Sequence, residues 1–235
     1  MCIRDRTRDP LGRLVICEGG ARRVIRIESD NSITVLASQY HGLPLNRPND
    51  VLVKSDGSIY FTDPGGPAPD TNLDFSGVYR ISTGLETINL LVRDYVLPNG
   101  LAFSPDEKTF YVNDSQGLLV NEDMFKSVGY IDAFDFRSNV MQANRRRFCD
   151  LRGEQSGIPD GIKVDTEGNV YCTGPGGIWV MDPAGTHLGT ILTDVEHTTN
   201  MAWGGSDWKT MFITTPTTLA RIQLKIPGLP VPYLF

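Results

Sequence analysis

The sequence predicts an all-β protein made of repeated strand pairs, and three observations lead to that prediction. Short apolar runs alternate with turns rich in Asp, Gly, Ser and Glu along nearly the whole chain. The same pattern of run, turn and run occurs five times, about every 40 to 60 residues. No stretch shows a sustained apolar period of 3.6 residues, so helices should be almost absent. Units of this size built from strands and turns are typical of a β-propeller.

Five blade units follow one another along the chain. The copies of the pattern are DPLGRLVICE (9–18), RPNDVLVKSDGSIYFTDP (47–64), PNGLAFSPDEKTFYVND (98–114), PDGIKVDTEGNVYCT (159–173) and TNMAWGGSDWKTMFITT (199–215). After the second, third and fourth copies come two outer strands each: GVYRIS with TINLLV, GYIDAFDF with RRRFCDL, and GIWVMD with HLGTIL. The last unit has room for about three strands. We expect the innermost strands around Val51, Leu101, Ile162 and Met201.

Composition excludes several classes of protein. With 235 residues and 40% hydrophobic content, the chain can bury a core as a single domain. No apolar run approaches the ~20 residues that span a bilayer. The net charge of −6 argues against a nucleic-acid surface, and we expect the cluster Arg145–Arg147 to be a solvated face. The sequence predicts neither a membrane nor an obligate protein partner. The cysteines form no CxxC pair, so we expect buried or half-buried thiols rather than zinc ligands: Cys2, Cys17, Cys149 and Cys172.

Polar residues recur directly before the predicted innermost strands. They are Arg47, Asn49, Asn99, Asp160 and Asn200. Because the innermost strands of a propeller line its channel, these side chains should converge there. Asn-Gly and Asp-Gly are also common turn formers, the role that we assign to Asp56-Gly57, but the recurrence favours a site. Amide and carboxylate oxygens suit Ca²⁺, Mg²⁺ or Mn²⁺, and Zn²⁺ if a second carboxylate joined them.

Such a site could support hydrolysis. A divalent ion can polarise a carbonyl or acidify a bound water, and Arg47 could hold a polar or anionic substrate. The GxSxG, GxxxxGK[ST] and HExxH motifs are absent. GPGG at 174–177 is interpreted as a β-turn. His41 and His187 are expected at the surface. His197 lies three residues before Asn200 and could approach the site, but an ordinary loop histidine is the favoured interpretation.

Four motifs in order resemble the gluconolactonase/senescence-marker-protein (regucalcin-like) family. They are RPNDVLVKSDGSIYFTDP, LPNGLAFSPDEKTFYVND, IPDGIKVDTEGNVYCTGPGGIWV and NMAWGGSDWKTMFIT, and the resemblance extends from about Thr7 to Gly228. It implies a six-bladed propeller that hydrolyses sugar lactones with one divalent metal ion, for which Ca²⁺ is favoured. It also implies that Asn99 and Asp160 are metal ligands, that Asp160 is the general base, and that Arg47 and Asn49 contact the substrate. Asn200 is a further candidate for the pocket.

The beginning of the chain departs from the family. The family's third ligand, a Glu in an E-G-P stretch, has no counterpart here, because Glu18 falls opposite Asp63 at the end of a second strand. Arg4 falls where Asn49 stands in the next unit. We therefore interpret residues 1–6 as foreign or artefactual, residues 7–228 as a single incomplete propeller domain lacking most of its first blade, and residues 229–235 as a C-terminal tail. Metal binding and activity should be impaired in such a fragment.

The resemblance thus implies a metal-dependent hydrolase that opens a sugar lactone, similar to gluconolactonase. One alternative is a non-catalytic calcium-binding or protein-interaction propeller. Another is a different lactonase or esterase on the same scaffold. A cytoplasmic location is favoured, with periplasmic or secreted locations left open. The sugar and the metal (Ca²⁺, Zn²⁺, Mg²⁺ or Mn²⁺) are not fixed by the sequence.

Overall fold

The structure is a computed structural model that describes residues 3–65, 73–85, 87–116, 129–138 and 140–231. Its strands belong to two compact units, one of residues 3–99 with residue 231 and one of residues 100–230. The only helical segment in the described ranges is the single 3₁₀ turn Gly19–Ala21. None of these residues forms a helix that could cross a membrane. The expected near-absence of helix therefore holds for the described part of the chain.

The first unit contains two four-stranded antiparallel sheets and a small hairpin. Sheet 1 consists of β1 (Ile3–Arg8), β2 (Leu14–Glu18), β3 (Arg23–Ile27) and β4 (Ile33–Ala37), in that order. The hairpin consists of β5 (Gln39–Tyr40) and β6 (Leu43–Pro44). Sheet 2 consists of β7 (Val51–Val53), β8 (Ile59–Asp63), β9 (Gly77–Ile81) and β10 (Ile88–Val92). The sheets share one core, in which Val15 and Val24 of sheet 1 cluster with Val51 and Phe61 of sheet 2.

Sheets 3, 4 and 5 follow along the chain. Sheet 3 consists of β11 (Pro98–Phe103), β12 (Thr109–Asp114) and β13 (Gly129–Arg137), with both β14 (Val140–Met141) and β15 (Arg146–Leu151) paired to β13. Sheet 4 consists of β16 (Ile162–Val164), β17 (Val170–Gly174), β18 (Gly177–Met181) and β19 (His187–Leu192). Sheet 5 has three strands, β20 (Asn200–Gly204), β21 (Thr210–Thr214) and β22 (Leu219–Gln223).

Sheet 4 is covered on both faces within the second unit. Successive residues of a strand point to opposite faces. On β17, Cys172 accordingly packs with Ile131 of sheet 3, whereas Tyr171 packs with Met201 and Met211 of sheet 5. A strand buried on both faces needs apolar residues at nearly every position, which explains why the second strands are continuous apolar runs rather than alternating ones.

These sheets confirm the prediction of an all-β propeller with five blade units. Each sheet is antiparallel, and its strands follow the chain order, except that β15 of sheet 3 pairs with β13. The strands expected to be innermost, β7, β11, β16 and β20, are edge strands and come first along the chain in sheets 2 to 5. The last unit has the three strands that its length allowed. That the parent fold has six blades remains a prediction.

The turn chemistry also follows the sequence. Between β7 and β8 the Asp56 carboxylate accepts hydrogen bonds from the backbone N–H of Ser58 (2.9 Å) and from its hydroxyl (2.5 Å). Gly57 has a φ of 84°, a left-handed conformation that glycine adopts at little cost. Asp56-Gly57 is therefore a turn, as predicted. Gly176, with a φ of 78°, turns the chain between β17 and β18, so GPGG is a turn as well.

The arginine cluster before and within β15 is neutralised by carboxylates. The buried Asp132 carboxylate receives Arg145 Nε at 2.5 Å and Arg147 Nε at 2.9 Å. The Arg147 guanidinium also lies 3.4 Å from the centre of the Tyr130 ring. Arg146 pairs with Asp135 at 2.6 Å. These arginines therefore form ion pairs within sheet 3 rather than a phosphate-binding site, in agreement with the net negative charge of the chain.

The thiols in the described part of the chain are free. Cys17 and Cys172 are buried, and Cys149 is half-buried, as the composition suggested. Burial raises the pKa of all three thiols, because a thiolate would lose its hydration. Cys2 lies outside the described residues.

The two ends of the described chain both pair with neighbouring strands. β1 pairs with β2, for example through Thr7 and Val15, and the backbone N–H of Asp5 donates to Asn49 O at 3.0 Å. At the other end the backbone N–H of Leu229 donates to Val164 O at 3.4 Å. The assignments of residues 1–6, 7–228 and 229–235 remain predictions, and Met1, Cys2 and residues 232–235 lie outside the described residues.

Candidate active site

The segment RPND is anchored to sheet 2 by the end of β8. The buried Asp63 carboxylate accepts hydrogen bonds from the backbone N–H groups of Asn46 (2.8 Å) and Arg47 (2.6 Å). The backbone N–H of Asn49 donates to Thr62 O at 2.9 Å. The backbone of the segment is therefore fixed, while the Arg47 side chain stays exposed and that of Asn49 is half-buried. Such an arrangement can present a guanidinium and an amide to a ligand.

Burial has a measurable consequence at Asp63. It raises the pKa of the Asp63 carboxyl to about 6, although the backbone donors of Asn46 and Arg47 act in the opposite direction. A folded-state pKa above the ordinary value of 3.8 means that the native state binds the proton more tightly. The contribution of this group to the free energy of unfolding is therefore greatest below pH 3.8 and is lost as the pH rises through 6.

We expect the stability of the Asp63→Asn variant to lack this pH dependence. Relative to the variant, the wild-type free energy of unfolding should fall by about 1–3 kcal/mol between pH 4 and pH 7. Urea unfolding at four pH values would measure the difference. The exposed Asp74 offers a control, since Asp74→Asn should leave the wild-type slope in place. Parallel profiles for wild type and Asp63→Asn would show that the buried carboxyl does not titrate in this range.

Asn49 and Asn99 are brought together in the first unit. Asn49 Nδ2 donates to Asn99 Oδ1 at 2.5 Å. The Thr62 hydroxyl donates to Asn99 O at 2.8 Å and accepts the backbone N–H of Asp50 at 3.1 Å. Asn99 is 8% exposed. A residue predicted to contact substrate therefore touches a residue predicted to bind metal.

The backbone of Asp160 is fixed on both sides in the second unit. Its backbone N–H donates to the Thr173 hydroxyl at 2.7 Å, and its backbone carbonyl accepts from Asn113 Nδ2 at 2.8 Å. Asn113 Oδ1 in turn accepts the backbone N–H of Gly100 at 3.0 Å. The Asp160 carboxylate is 24% exposed and lies 3.3 Å from His197 Nε2. The sequence favoured an ordinary loop histidine at 197; the structure instead places its ring beside the candidate base.

Asn200 lies next to Gly161. It is shifted by one position from the predicted register, in which it corresponded to Asp160. Asn200 pairs with Thr214 across sheet 5, whereas in sheet 4 the corresponding Thr173 donates its backbone N–H to Gly161 O. Asn200 therefore corresponds to Gly161, and Thr199 corresponds to Asp160. The last copy reads TNM where the fourth reads PDGI, so it has one residue fewer before its apolar run. Asn200 Oδ1 accepts from Met201 N–H and from Lys163 Nζ.

The glycines of PNG and PDG serve close approach rather than turns. A Cβ atom on Gly100 would lie 2.3 Å from Asp160 O, and one on Gly161 would lie 2.2 Å from Asn200 Oδ1. Neither glycine has a positive φ, and Gly100 lies inside β11. The Asn-Gly and Asp-Gly pairs are therefore not turn formers here, which favours the alternative of a site.

Sequence reasoning missed a set of residues that we call the clasp residues: Cys17, Thr62 and Asn113. Each is the second-last residue of its second strand and directs its side chain to a backbone carbonyl at the start of the next inner strand. Cys17 Sγ is 3.7 Å from Asp50 O, and the other two bind Asn99 O and Asp160 O. The signal was present, since ICE, FTD and VND repeat a small or polar residue inside an apolar run.

Comparison with known proteins identifies the family. The sequence profile of the SMP-30/Gluconolactonase/LRE-like region matches residues 2–217. The protein belongs to this family. A gluconolactonase of Zymomonas mobilis is 30% identical over 233 residues, which is 93% of this chain and 62% of that protein. The pentonolactonase XacC of Haloferax volcanii is 29% identical over 173 residues, 72% of this chain and 53% of its own length. The chain therefore spans about three-fifths of these relatives or less.

Solved structures of the family share the fold. A gluconolactonase from Xanthomonas campestris superimposes with a TM-score of 0.80 at 32% identity, covering 96% of this chain and 72% of that one. A structure from Agrobacterium tumefaciens, described as the calcium-binding protein regucalcin, gives a TM-score of 0.77 at 19% identity, covering 98% and 79%. The second likeness concerns the fold alone. The predicted family is confirmed.

The chemistry of the predicted ligands fits a hard divalent cation. Asn99 offers an amide oxygen and Asp160 a carboxylate, the donor types that Ca²⁺ and Mg²⁺ prefer. Among the described residues no group of three or more His, Cys, Asp or Glu could hold a metal ion. The assignment of Asn99 and Asp160 as ligands remains a prediction.

Proposed function

We propose that this chain carries the hydrolytic site of a sugar lactonase, with Asp160 as the general base. Membership in the SMP-30/gluconolactonase/LRE-like family supports the reaction class, as do relatives named gluconolactonase and pentonolactonase. The observation that carries the proposal is the way Asp160 is held. Its backbone is fixed by Thr173 and Asn113, while its carboxylate remains partly exposed. A general base needs both a defined position and access to its substrate.

The residues divide the reaction between them. Asp160 would take a proton from the attacking water, whose oxygen adds to the lactone carbonyl carbon. The ring C–O bond then breaks, and the ring oxygen receives the proton that Asp160 had taken, which gives the open hydroxy acid and restores the carboxylate. Arg47 and Asn49 would bind the sugar oxygens, the guanidinium by paired N–H donors. Asn200 is a further candidate for a residue that contacts the substrate.

A divalent cation would assist this reaction. Asn99 and Asp160 would hold it, and when bound it would polarise the lactone carbonyl. Ca²⁺ is the favoured ion because amide and carboxylate oxygens are its usual ligands. Zn²⁺, Mg²⁺ and Mn²⁺ are the alternatives.

Turnover of gluconolactone should depend on the cation. After dialysis against EDTA, we expect the hydrolysis rate above the uncatalysed background to fall at least about 100-fold and to return with Ca²⁺ or another divalent ion. A pH-indicator assay of acid release measures it. Cation binding without turnover would favour the non-catalytic propeller, and hydrolysis of p-nitrophenyl acetate but not gluconolactone would favour the esterase.

A further inference from the structure

His197 lies in the loop between β19 and β20, and both of its chain neighbours on the C-terminal side are anchored. The hydroxyl of buried Thr198 bonds that of Thr193 at 2.7 Å. The backbone N–H of Thr199 donates to Thr214 O at 2.9 Å. The loop therefore holds the imidazole in place, with Nε2 3.3 Å from Asp160 Oδ2. The imidazole is 14% exposed.

We propose that His197 is a positioning residue that orients the Asp160 carboxylate. Its Nε2–H donates to Asp160 Oδ2, so that Oδ1 is the oxygen left to take the proton of the attacking water or to bind a cation. This inference rests on the proposed function of Asp160 as base and ligand. It adds a histidine to a site that was otherwise built from amides, a carboxylate and an arginine.

The physical reason is the freedom of a carboxylate to rotate. Thr173 and Asn113 fix the backbone of Asp160, but the terminal torsion of an aspartate has a broad, nearly two-fold potential. A hydrogen bond to one oxygen selects one orientation of the group. Partners of this kind around metal-binding carboxylates typically change metal affinity about 10- to 100-fold when they are removed.

Two amide variants separate positioning from simple packing. In glutamine the side-chain amide nitrogen stands as many bonds from Cα as histidine Nε2, whereas in asparagine it stands where Nδ1 would be. His197→Gln should therefore keep a donor within reach of Asp160 Oδ2, and His197→Asn should not. The exposed His187, on β19, provides a control through His187→Asn.

Mn²⁺ titration calorimetry and lactone kinetics then test the proposal. We expect His197→Asn to weaken Mn²⁺ binding at least about 10-fold and to lower kcat with little change in KM. The Mn²⁺ affinity and kcat of His197→Gln should stay within about threefold of wild type, because its side-chain amide can still donate to Asp160 Oδ2. In the Asp160→Asn background the His197→Asn change should have no further effect. Equal losses in the Gln and Asn variants, or an undiminished loss in that background, would overturn the proposal.

A measurement without metal keeps the contact separate from the proposed function. In ¹⁵N spectra of histidine side chains, Asp160→Asn should shift the Nε2 signal of His197 in the metal-free protein and leave that of His187 unchanged. Unshifted His197 signals would show that the ring does not hold Asp160, whatever the metal data. Shifted signals in a chain that binds no Mn²⁺ and opens no lactone would contradict the proposed function but support the contact.

Discussion

Asp160→Asn is expected to lower kcat/KM for a sugar lactone by about 100- to 10,000-fold while the fold persists. Asparagine has the same shape, so the backbone bonds to Thr173 and Asn113 can remain. Its amide cannot accept a proton at neutral pH and brings no negative charge to a cation. Both losses act on the reacting groups. The measurement is steady-state acid release with a divalent ion present, alongside circular dichroism of the same preparation.

The control for Asp160→Asn is a carboxylate in the turn between the first two strands of sheet 4. Glu167 is exposed in the turn between β16 and β17, and Glu167→Gln removes the same charge without approaching Asp160. Its kcat/KM should stay near that of the wild type. If Asp160→Asn hydrolyses the lactone as fast as Glu167→Gln does, Asp160 is not the base.

Gly100→Ala should destabilise the protein by about 3 kcal/mol, near the upper end of the range for overpacked sites. The new methyl group would lie 2.3 Å from Asp160 O, 2.8 Å from Ile162 Cγ2 and 2.9 Å from Asn113 Nδ2. The first of these is a backbone atom and cannot turn away. To relieve this clash, β11 and the start of β16 must move apart. That movement also lengthens the hydrogen bonds of the Asn113 side chain to Gly100 N–H and Asp160 O.

Chemical unfolding measures this effect, and Gly189→Ala is its control. Gly189 lies in β19, and a Cβ atom there would meet nothing within 4 Å. Because alanine restricts the unfolded chain more than glycine does, this change should be neutral or slightly stabilising. A Gly100→Ala variant as stable as Gly189→Ala would mean that the backbones tolerate a wider spacing than the structure shows.

The fold could be predicted because its signals are local. Each blade begins with an apolar run, a turn built on residues such as Asp56-Gly57, and a second run, and these patterns determine strand and turn within about twenty residues. The period of the pattern then indicates the propeller. The shared position of Asn49, Asn99 and Asp160, each two residues before the first residue of its apolar run (Val51, Leu101 and Ile162), followed from the same repeat.

The contacts within the site could not be predicted in the same way. His197 follows Asp160 only after the four strands of sheet 4, and Asn113 precedes Asp160 by 47 residues, so no fixed spacing marks either contact. The offset of Asn200 arose from a single residue missing before its apolar run, which an alignment by motif does not detect. Side-chain contacts between blades depend on packing that a single sequence does not display.

The clasp residues also determine how this protein would respond to random mutation. Thr62 and Asn113 each belong to one blade, but the carbonyls that they hold belong to Asn99 and Asp160 at the start of the next. A saturation scan scored on turnover should therefore reveal a second series of sensitive positions, shifted one blade towards the N-terminus from the series that includes Asn99 and Asp160. An engineer who exchanged one blade for that of a homologue would have to transfer the preceding second strand with it.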